Sequence, residues 1–468
     1  MTVRWTQEQV LSVTRAALRS AATQATFDCV CTDTRALSPG CLFVALIGER
    51  FDAHTFVAEA AKAGAAAAVV QKDKLSHALP LGFGLYEVED TLVALGDLAR
   101  SHRRQFQIPL GAVGGSNGKT TAKEMVGAIL ATRGPALKTE GNFNNEVGVP
   151  LTLLRLDRAH VAAVVEMGMN HAGEMARLTA IALPDAALLT VVQPEHLEGL
   201  GSLEGVAKAE GELFHGLKPD ATAVVNLDDP LIVEQARSAK VKMIGFGRGP
   251  EAQVRLGEVT LRGKDGLDMD VTYHGATHRI RLGFLGLHNA LNATGAFALG
   301  VALGYSPSEC VTGLESARPY ARRLNVLDAP GGVTVVDDCY NANPASMQAA
   351  LETLTGLAAG GRRVAVLGDM LELGAEELRD HAELGKLAGG QTDVLAFFGP
   401  RSEKSFLAAQ ALELKTPVLA HFHDVDTLID WLRPRLVSKD VVLVKGSRGM
   451  RLERVVEALT GQSTGVGH

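Results

Sequence analysis

The sequence predicts an α/β protein built from three domains, and three observations carry the prediction. At 468 residues the chain is long enough for about three domains of ordinary size. Its middle and its C-terminal third both alternate short β-branched runs with segments whose apolar residues recur at helical spacing. Its 50 glycines suit the many strand-to-helix turns that such alternation requires. The expected domains are 1–107, a smaller α/β unit; 108–318, a mostly parallel sheet with helices on both faces; and 319–468, a Rossmann-like α/β unit.

In the first unit CVCTDTR, CLFVALIG and AAAAVVQ read as strands beside two or three helices. The alanine-rich AEAAKAGAAAAVVQ is broken by Lys62 and Gly64, so it reads as helix, turn and strand rather than a membrane span. RQFQIPLG at 104–111 is a joint. Beyond it PLGAVGG, HVAAVVEMG, AALLTVVQ, ATAVVNL and VKMIGFG are the expected strands of the central sheet. Around 251–283 the pattern changes: VRLGEVTL, LDMDVTYH and THRIRLGF alternate apolar and polar residues, which predicts an antiparallel appendage. A helix is expected at about 288–303. A second joint, SARPYARRLN at 316–325, precedes the strands VTVVDD, RRVAVLGD, VLAFFG, TPVLAHF and DVVLVKG.

Composition narrows the function. Net charge is −7, so no global basic field invites nucleic acid. The five cysteines, Cys29, Cys31, Cys41, Cys310 and Cys339, show no CxxC spacing. That argues against a disulfide framework and fits a reducing compartment, the cytoplasm. The N-terminus lacks the apolar core of a signal peptide, and no uncharged apolar run reaches membrane-spanning length. A monomer without membrane insertion is expected.

The chemistry starts at VGGSNGKTTAK, 113–123. A phosphate loop of the GxxxxGK[ST] kind would have glycine where this chain has Val113. The context is nonetheless right: the segment lies between the strand PLGAV and a helix starting near Lys119. Glycines let backbone N–H groups approach phosphate oxygens, and the helix N-terminus adds partial positive charge. Lys119 can neutralise β- and γ-phosphate charge, and the Thr120 hydroxyl can hold Mg²⁺. HVAAVVEMG ends on Glu166 at a carboxyl strand edge, where an acid can hold the metal. His196, in PEHLEGLGS after the next strand, reaches the same edge and is a second metal candidate.

The helix SLEGVAKAEGELFHGL places Glu210 on one stripe with Val206, Leu213, Phe214 and Leu217. A carboxylate on an apolar face needs a partner or a metal. Lys208 falls on the polar side and reads as a solvated lysine. Asn289, near the start of GLHNALNATGAFALG, is either a cap or an adenine contact. VVDDCYNANPASM ends a strand on two acids and turns through Asn341, Asn343 and Pro344. LVKGSRGM ends the last strand with Lys445, Ser447 and Arg448 at a turn, an anion-site composition or an ordinary capped turn.

Taken together these segments resemble the Mur ligase family, along essentially the whole chain and in order. GNFNNEVGVP and DDCYNANP are the most specific carriers, with TDTRALSPGCLFVALIGER, EMGMNHAGEM, HLEGLGSLEGVA, VLGDMLELG and VKGSRGM beside them. The family's own loop reads like TGSNGKTT, so a missing first glycine is expected of it. The resemblance implies an ATP-dependent ligase of cell-wall precursor synthesis. The segments are most similar to the member that joins D-alanyl-D-alanine to UDP-N-acetylmuramoyl-tripeptide. The DNPR motif typical of the diaminopimelate- or lysine-adding member is absent.

The resemblance also implies residue roles. Gly114, Gly115, Ser116, Asn117, Gly118, Lys119, Thr120 and Thr121 would hold ATP phosphates. Asn289 would contact adenine, Asp338 the ribose, and Arg323 the nucleotide. Thr120, Glu166 and His196 would surround Mg²⁺. Thr34, Arg35, Arg50, Asn142, Asn144 and Asn145 would bind the muramoyl nucleotide. Asn341, Asn343, Lys445 and Ser447 would face the acyl phosphate or the dipeptide. At one position the chain departs from the family: AEGE puts Glu210 where members carry AKGE, with a lysine carbamylated by CO₂. Glutamate supplies the carboxylate without CO₂, on a chain three bonds shorter. Two other readings stay open: a sibling ligase, diaminopimelate- or lysine-adding or like folylpolyglutamate synthase, and a nucleotide-gated binding protein that ligates nothing.

Overall fold

Three main sheets organise the chain, and the computed structural model describes residues 4–48, 51–75, 79–412 and 418–462. The first sheet has strands β1 (Ala17–Ser20), β2 (Val30–Cys31), β3 (Leu42–Val44), β4 (Ala67–Gln71) and β5 (Gly84–Val88), in the order β1-β5-β4-β3-β2. Helix α1 (Thr91–Arg103) follows, its N-terminus capped by Asp90, whose side chain accepts from the N–H groups of Leu92 and Val93. The parallel pairing of Val30 with Leu42 sets the preceding residues side by side, and Cys29 and Cys41 are bonded there, with Cα atoms 4.6 Å apart. Spacing alone carries no information about strand register, so the nearness of this pair was not legible from it. Cys31, Cys310 and Cys339 are free thiols.

The central sheet has nine strands: β6 (Leu110–Gly114), β7 (Ala136–Lys138), β8 (Ala162–Glu166), β9 (Ala186–Leu189), β10 (Thr222–Asn226), β11 (Lys242–Gly247), β12 (Val254–Leu261), β13 (Leu267–Tyr273) and β14 (Ala276–Leu282). Their order is β14-β13-β12-β11-β10-β9-β6-β8-β7. All pairs from β7 to β12 are parallel, and only β12-β13 and β13-β14 are antiparallel. The expected antiparallel appendage is thus the outer third of one continuous sheet, because Phe246 and Gly247 pair directly with Val254 and Arg255. Buried side chains cover both faces: Met125, Ile129 and Phe297 lie in one core, Val206, Leu213 and Phe214 in the other.

The third sheet holds β15 (Asn325–Ala329), β16 (Val333–Asp338), β17 (Arg363–Gly368), β18 (Val394–Phe398), β19 (Val418–Phe422) and β20 (Val441–Lys445), ordered β15-β16-β20-β17-β18-β19. Only the β15 edge pairs antiparallel. The register that matches Asp338 with Lys445 brings the carboxyl ends of two strands together facing the central sheet's loop. No helix among the described residues is long and apolar enough to cross a membrane.

Candidate active site

Val113 is fully buried and pairs with Glu166 on one side and Leu188 on the other. The position where a standard phosphate loop starts with glycine is here still strand, and the loop begins at Gly114. Gly115 has φ 113°, and a Cβ on it would meet Thr190 Oγ1 at 2.3 Å, so only glycine fits. Gly118, at φ 82°, caps helix α2 (Lys119–Leu130). The loop is tied to the end of β9 by Ser116 N–H to Val191 O at 2.7 Å and by Ser116 Oγ to Gln193 O at 3.0 Å.

Lys119 Nζ donates to Gly115 O at 2.5 Å and lies 3.7 Å from Glu195. Burial opposes its charge, but Glu195, Glu210 and Glu166 outweigh burial and hold the ammonium above its usual value. Thr120 Oγ1 donates to Glu166 Oε1 at 3.2 Å, and Asn144 Nδ2 donates to the same oxygen at 2.9 Å. Glu166 Oε2 is buried without a hydrogen-bond partner. Helix α3 (Leu203–His215) does bury Glu210, while Lys208 is exposed. Glu210 Oε2 accepts the Gly115 N–H at 2.8 Å, and Oε1 has no partner. Burial pushes this carboxyl up to about 7, against the pull of Lys119 and with the push of Glu195.

His196 sits at the same edge in left-handed backbone, φ 50°, with its ring 3.5 Å from Glu372 of the third domain. Among the described residues no group of three His, Cys, Asp or Glu side chains is close enough to hold a metal ion by itself. The structure therefore brings Thr120 and Glu166 together but turns His196 toward Glu372. A hard cation such as Mg²⁺ suits this oxygen-rich arrangement, because it binds through one or two carboxylates plus phosphates and water. The unpartnered Glu166 Oε2 is the open donor.

Two cavities flank the loop. The smaller, about 320 Å³, is lined by Asn117, Gly118, Thr121, Asn289, Arg323, Asp338 and Lys445. Asn289 donates to Leu285 O at 2.7 Å and accepts from Asn292, a cavity residue that sequence reasoning missed. Lys445 Nζ donates to Asp338 Oδ2 at 2.7 Å and to Asn341 O at 2.9 Å, so it stands between this cavity and the larger one. The reason is the strand register: Lys445 and Asp338 are paired neighbours. Helix α4 (Leu287–Ala302) carries Asn289, and helix α5 (Pro344–Leu357), capped by Asn343, supplies the opposite wall.

The larger cavity, about 1070 Å³, is lined by Asn142, His196, Asn341, Asn343, Ser447 and Arg448, with Glu195, Arg322 and Glu372 added by the structure. Glu195 is a neighbour of His196 and was legible as a flanking acid; Glu372 arrives on a distant loop. Three contacts bridge the central and third domains here: Arg323 Nη2 to Thr120 Oγ1 at 3.3 Å, Asn343 Nδ2 to Asn117 Oδ1 at 3.1 Å, and the His196–Glu372 contact. Arg323 also stacks over Tyr340 at 4.1 Å.

Other expected contacts are engaged elsewhere. Asn145 Oδ1 accepts from the N–H groups of Val147 and Gly148, which makes it a turn cap. Asn144 is held by Glu166. Thr34 pairs with Glu59, and Arg35 pairs with Asp33 at 2.7 Å on the surface of the first domain. Arg50 lies outside the described residues.

A glycine loop, a strand-end acid and a third domain closing on both define a nucleotide-dependent enzyme of three-domain α/β type. Comparison with known proteins makes this specific. The chain matches the catalytic domain of the Mur ligase family over residues 26–103, the Mur ligase middle domain over 113–300 and the Mur ligase glutamate ligase domain over 322–448. The chain belongs to the Mur ligase family. It is 39% identical over 452 residues to the UDP-N-acetylmuramoyl-tripeptide–D-alanyl-D-alanine ligase of Escherichia coli, covering 94% of this chain and 95% of that one. The ligase of the same name from Bacillus subtilis is 37% identical, with 92% of each chain covered. Among solved structures, MurF from Acinetobacter baumannii superposes with a TM-score of 0.89 at 33% identity, over 98% of this chain and all of that one. MurF from Thermotoga maritima in complex with ADP gives 0.80 at 29% identity, over 92% of this chain and 96% of that one.

Proposed function

We propose that this chain is an ATP-dependent carboxylate–amine ligase that joins D-alanyl-D-alanine to the terminal carboxylate of UDP-N-acetylmuramoyl-tripeptide, releasing ADP and phosphate. The observation that carries the reading is the convergence on one loop of Lys119, Thr120, Glu166 and Glu210 with Arg323 and Asn343 from the third domain. The domain limits we assign are 1–107, 108–318 and 319–468. They fall between α1 and β6 and before β15, where no main-sheet strand pairs across.

A carboxylate is a poor electrophile because oxide would have to leave. A tripeptide carboxylate oxygen therefore attacks the γ-phosphorus of ATP, and ADP departs. The amine of the dipeptide, having lost its proton, attacks the acyl carbon. The tetrahedral intermediate collapses and expels phosphate, which carries one oxygen of the original carboxylate.

Lys119, released from the loop carbonyls, would stabilise charge on the transferring phosphoryl group. Thr120 and Glu166, with His196 after a turn away from Glu372, would hold Mg²⁺, which neutralises phosphate charge when bound. Glu210 would supply the carboxylate that the family obtains from a modified lysine. Asp338, Asn289 and Arg323 would hold the nucleoside, and bridging by Arg323 and Asn343 would exclude water.

The sequence of steps has an isotopic signature. With tripeptide labelled by ¹⁸O at its terminal carboxylate, one label per turnover is expected in released phosphate. Phosphate free of label would overturn acyl-phosphate chemistry.

A further inference from the structure

The smaller cavity has a wall residue that no sequence motif announced. Strand β11 ends at Gly247, and the next residue, Arg248, lines the cavity with Thr190, Asn289 and Asn292. Asp228 pins it: Oδ1 accepts the Arg248 N–H at 2.9 Å, and Oδ2 accepts from Nη1 at 3.0 Å. The Asp228 N–H donates in turn to Asn226 Oδ1 at 3.1 Å, and Asn226 Nδ2 donates to Thr190 O at 2.7 Å. Thr190 Oγ1 donates to Asn117 O of the phosphate loop at 2.5 Å. Thr190 and Asn226 are buried. A continuous hydrogen-bonded rail therefore fixes Arg248 relative to the loop.

The other polar groups of this cavity are already engaged. Asn289 spends one amide hydrogen on Leu285 O and its oxygen on Asn292. Lys445 donates to Asp338 and to Asn341 O, and Arg323 donates to Thr120 while stacking on Tyr340. Arg248 differs. Its side chain is 57% exposed, and among the described residues nothing accepts from its Nε or Nη2. Its charge, however, is balanced by Asp228, and Glu251 folds back on Gly249 of the same loop. A balanced cation is a poor place for another phosphate. What stays open is the flat guanidinium, a surface that suits an aromatic ring.

We propose that Arg248, held by Asp228, lays its guanidinium against the face of the nucleobase bound in this cavity. The proposal rests on the nucleotide part of the ligase reading above. Stacking of arginine on a base is tolerant of the base's edge pattern, because every base has a π face. Arg248 is a nucleotide-binding residue in this account, touches no reacting atom and takes part in no covalent step. Asp228 is a positioning residue, acting through Arg248.

The test measures binding of ADP in magnesium buffer to the full-length enzyme by calorimetry, which requires no ligation. Arg248→Met keeps the stem and removes the guanidinium; it is expected to weaken ADP about fivefold, the scale of a cation–π contact. KM for ATP should rise by the same factor, while kcat at saturating ATP and KM for D-alanyl-D-alanine hold, a split that general misfolding would not produce. Asp228→Asn is expected to weaken ADP by less, and to add nothing in a variant that already carries Arg248→Met. A further loss in that double variant would mean that Asp228 acts independently of Arg248 and would overturn its positioning role. ADP affinity unchanged by Arg248→Met overturns the proposal and leaves an ordinary surface ion pair. Inorganic tripolyphosphate, which has no base, serves as a competitor of ATP; if Arg248→Met weakens it as much as ADP, the contact is to phosphate and the proposal fails. Native enzyme that binds ADP but ligates nothing sinks the ligase reading alone, whereas no binding of ADP sinks both.

Discussion

Replacing Lys119 with methionine is expected to lower turnover by about a thousandfold, or roughly 4 kcal/mol of transition-state stabilisation. Methionine keeps most of the stem and removes the charge, so the effect reports electrostatics rather than packing. The expectation follows from the company Lys119 keeps. Three acids, Glu195, Glu210 and Glu166, hold its ammonium charged in spite of burial, and its Nζ already sits on the loop carbonyls of Gly115 and Ser116. A phosphate arriving there meets a preorganised cation. The measurement is kcat for phosphate release at saturating substrates. A loss below about tenfold would mean that the charge on the transferring group is stabilised elsewhere.

The second large effect concerns Glu210, and it has opposite signs in activity and stability. Glu210→Gln is expected to reduce turnover by about a hundredfold or more, because the buried carboxylate at Gly115 is lost. It should also make the protein more resistant to heat at high pH. In the unfolded chain this carboxyl titrates at its ordinary value of 4.5, and in the native protein burial pushes it up to about 7. Between those values the native state holds a proton that the unfolded chain has released, so rising pH favours unfolding. The destabilisation is absent below the lower value and complete above the upper one, on the order of 3 kcal/mol. Glutamine mimics the protonated acid and can still accept the Gly115 N–H. The melting temperature of the variant relative to native should therefore rise between pH 5 and pH 8. A difference that does not depend on pH would contradict the assignment. A companion expectation is that native turnover survives CO₂ depletion. Recovery on adding bicarbonate would bring Lys208 back into consideration.

Much of this was legible in the sequence, for physical reasons that also explain what was not. The strands of the central and third sheets carry β-branched runs bounded by turn residues, and those runs were read correctly. Three of the missed strands lack that signal: Ala17–Ser20 is exposed throughout, Ala136–Lys138 has three residues, and Asn325–Ala329 is an edge strand; Gly84–Val88, which alternates buried and half-buried residues, was missed as well. Glu210 could be placed because a helical stripe needs no partner chain to be recognised, and it is indeed fully buried. Lys445 could not, because its position beside Asp338 depends on which strands pair. The same holds for Cys29 and Cys41. The hydrogen bonds that Asn145 Oδ1 accepts from the N–H groups of Val147 and Gly148 follow from a local turn that the sequence did not announce. Glu372 belongs to a loop that meets the central domain only through the tertiary fold.

The central claim is that ATP cleavage is coupled to one carboxylate and one amine. A coupled phosphate-release assay with UDP-N-acetylmuramoyl-tripeptide, in both its diaminopimelate and lysine forms, tests it most directly when D-alanyl-D-alanine is compared with glutamate and diaminopimelate as the amine. The account predicts phosphate release that requires both the tripeptide and D-alanyl-D-alanine, one phosphate for each amide formed. Turnover that prefers glutamate or diaminopimelate, or that proceeds regardless of every carboxylate–amine pair, would contradict it.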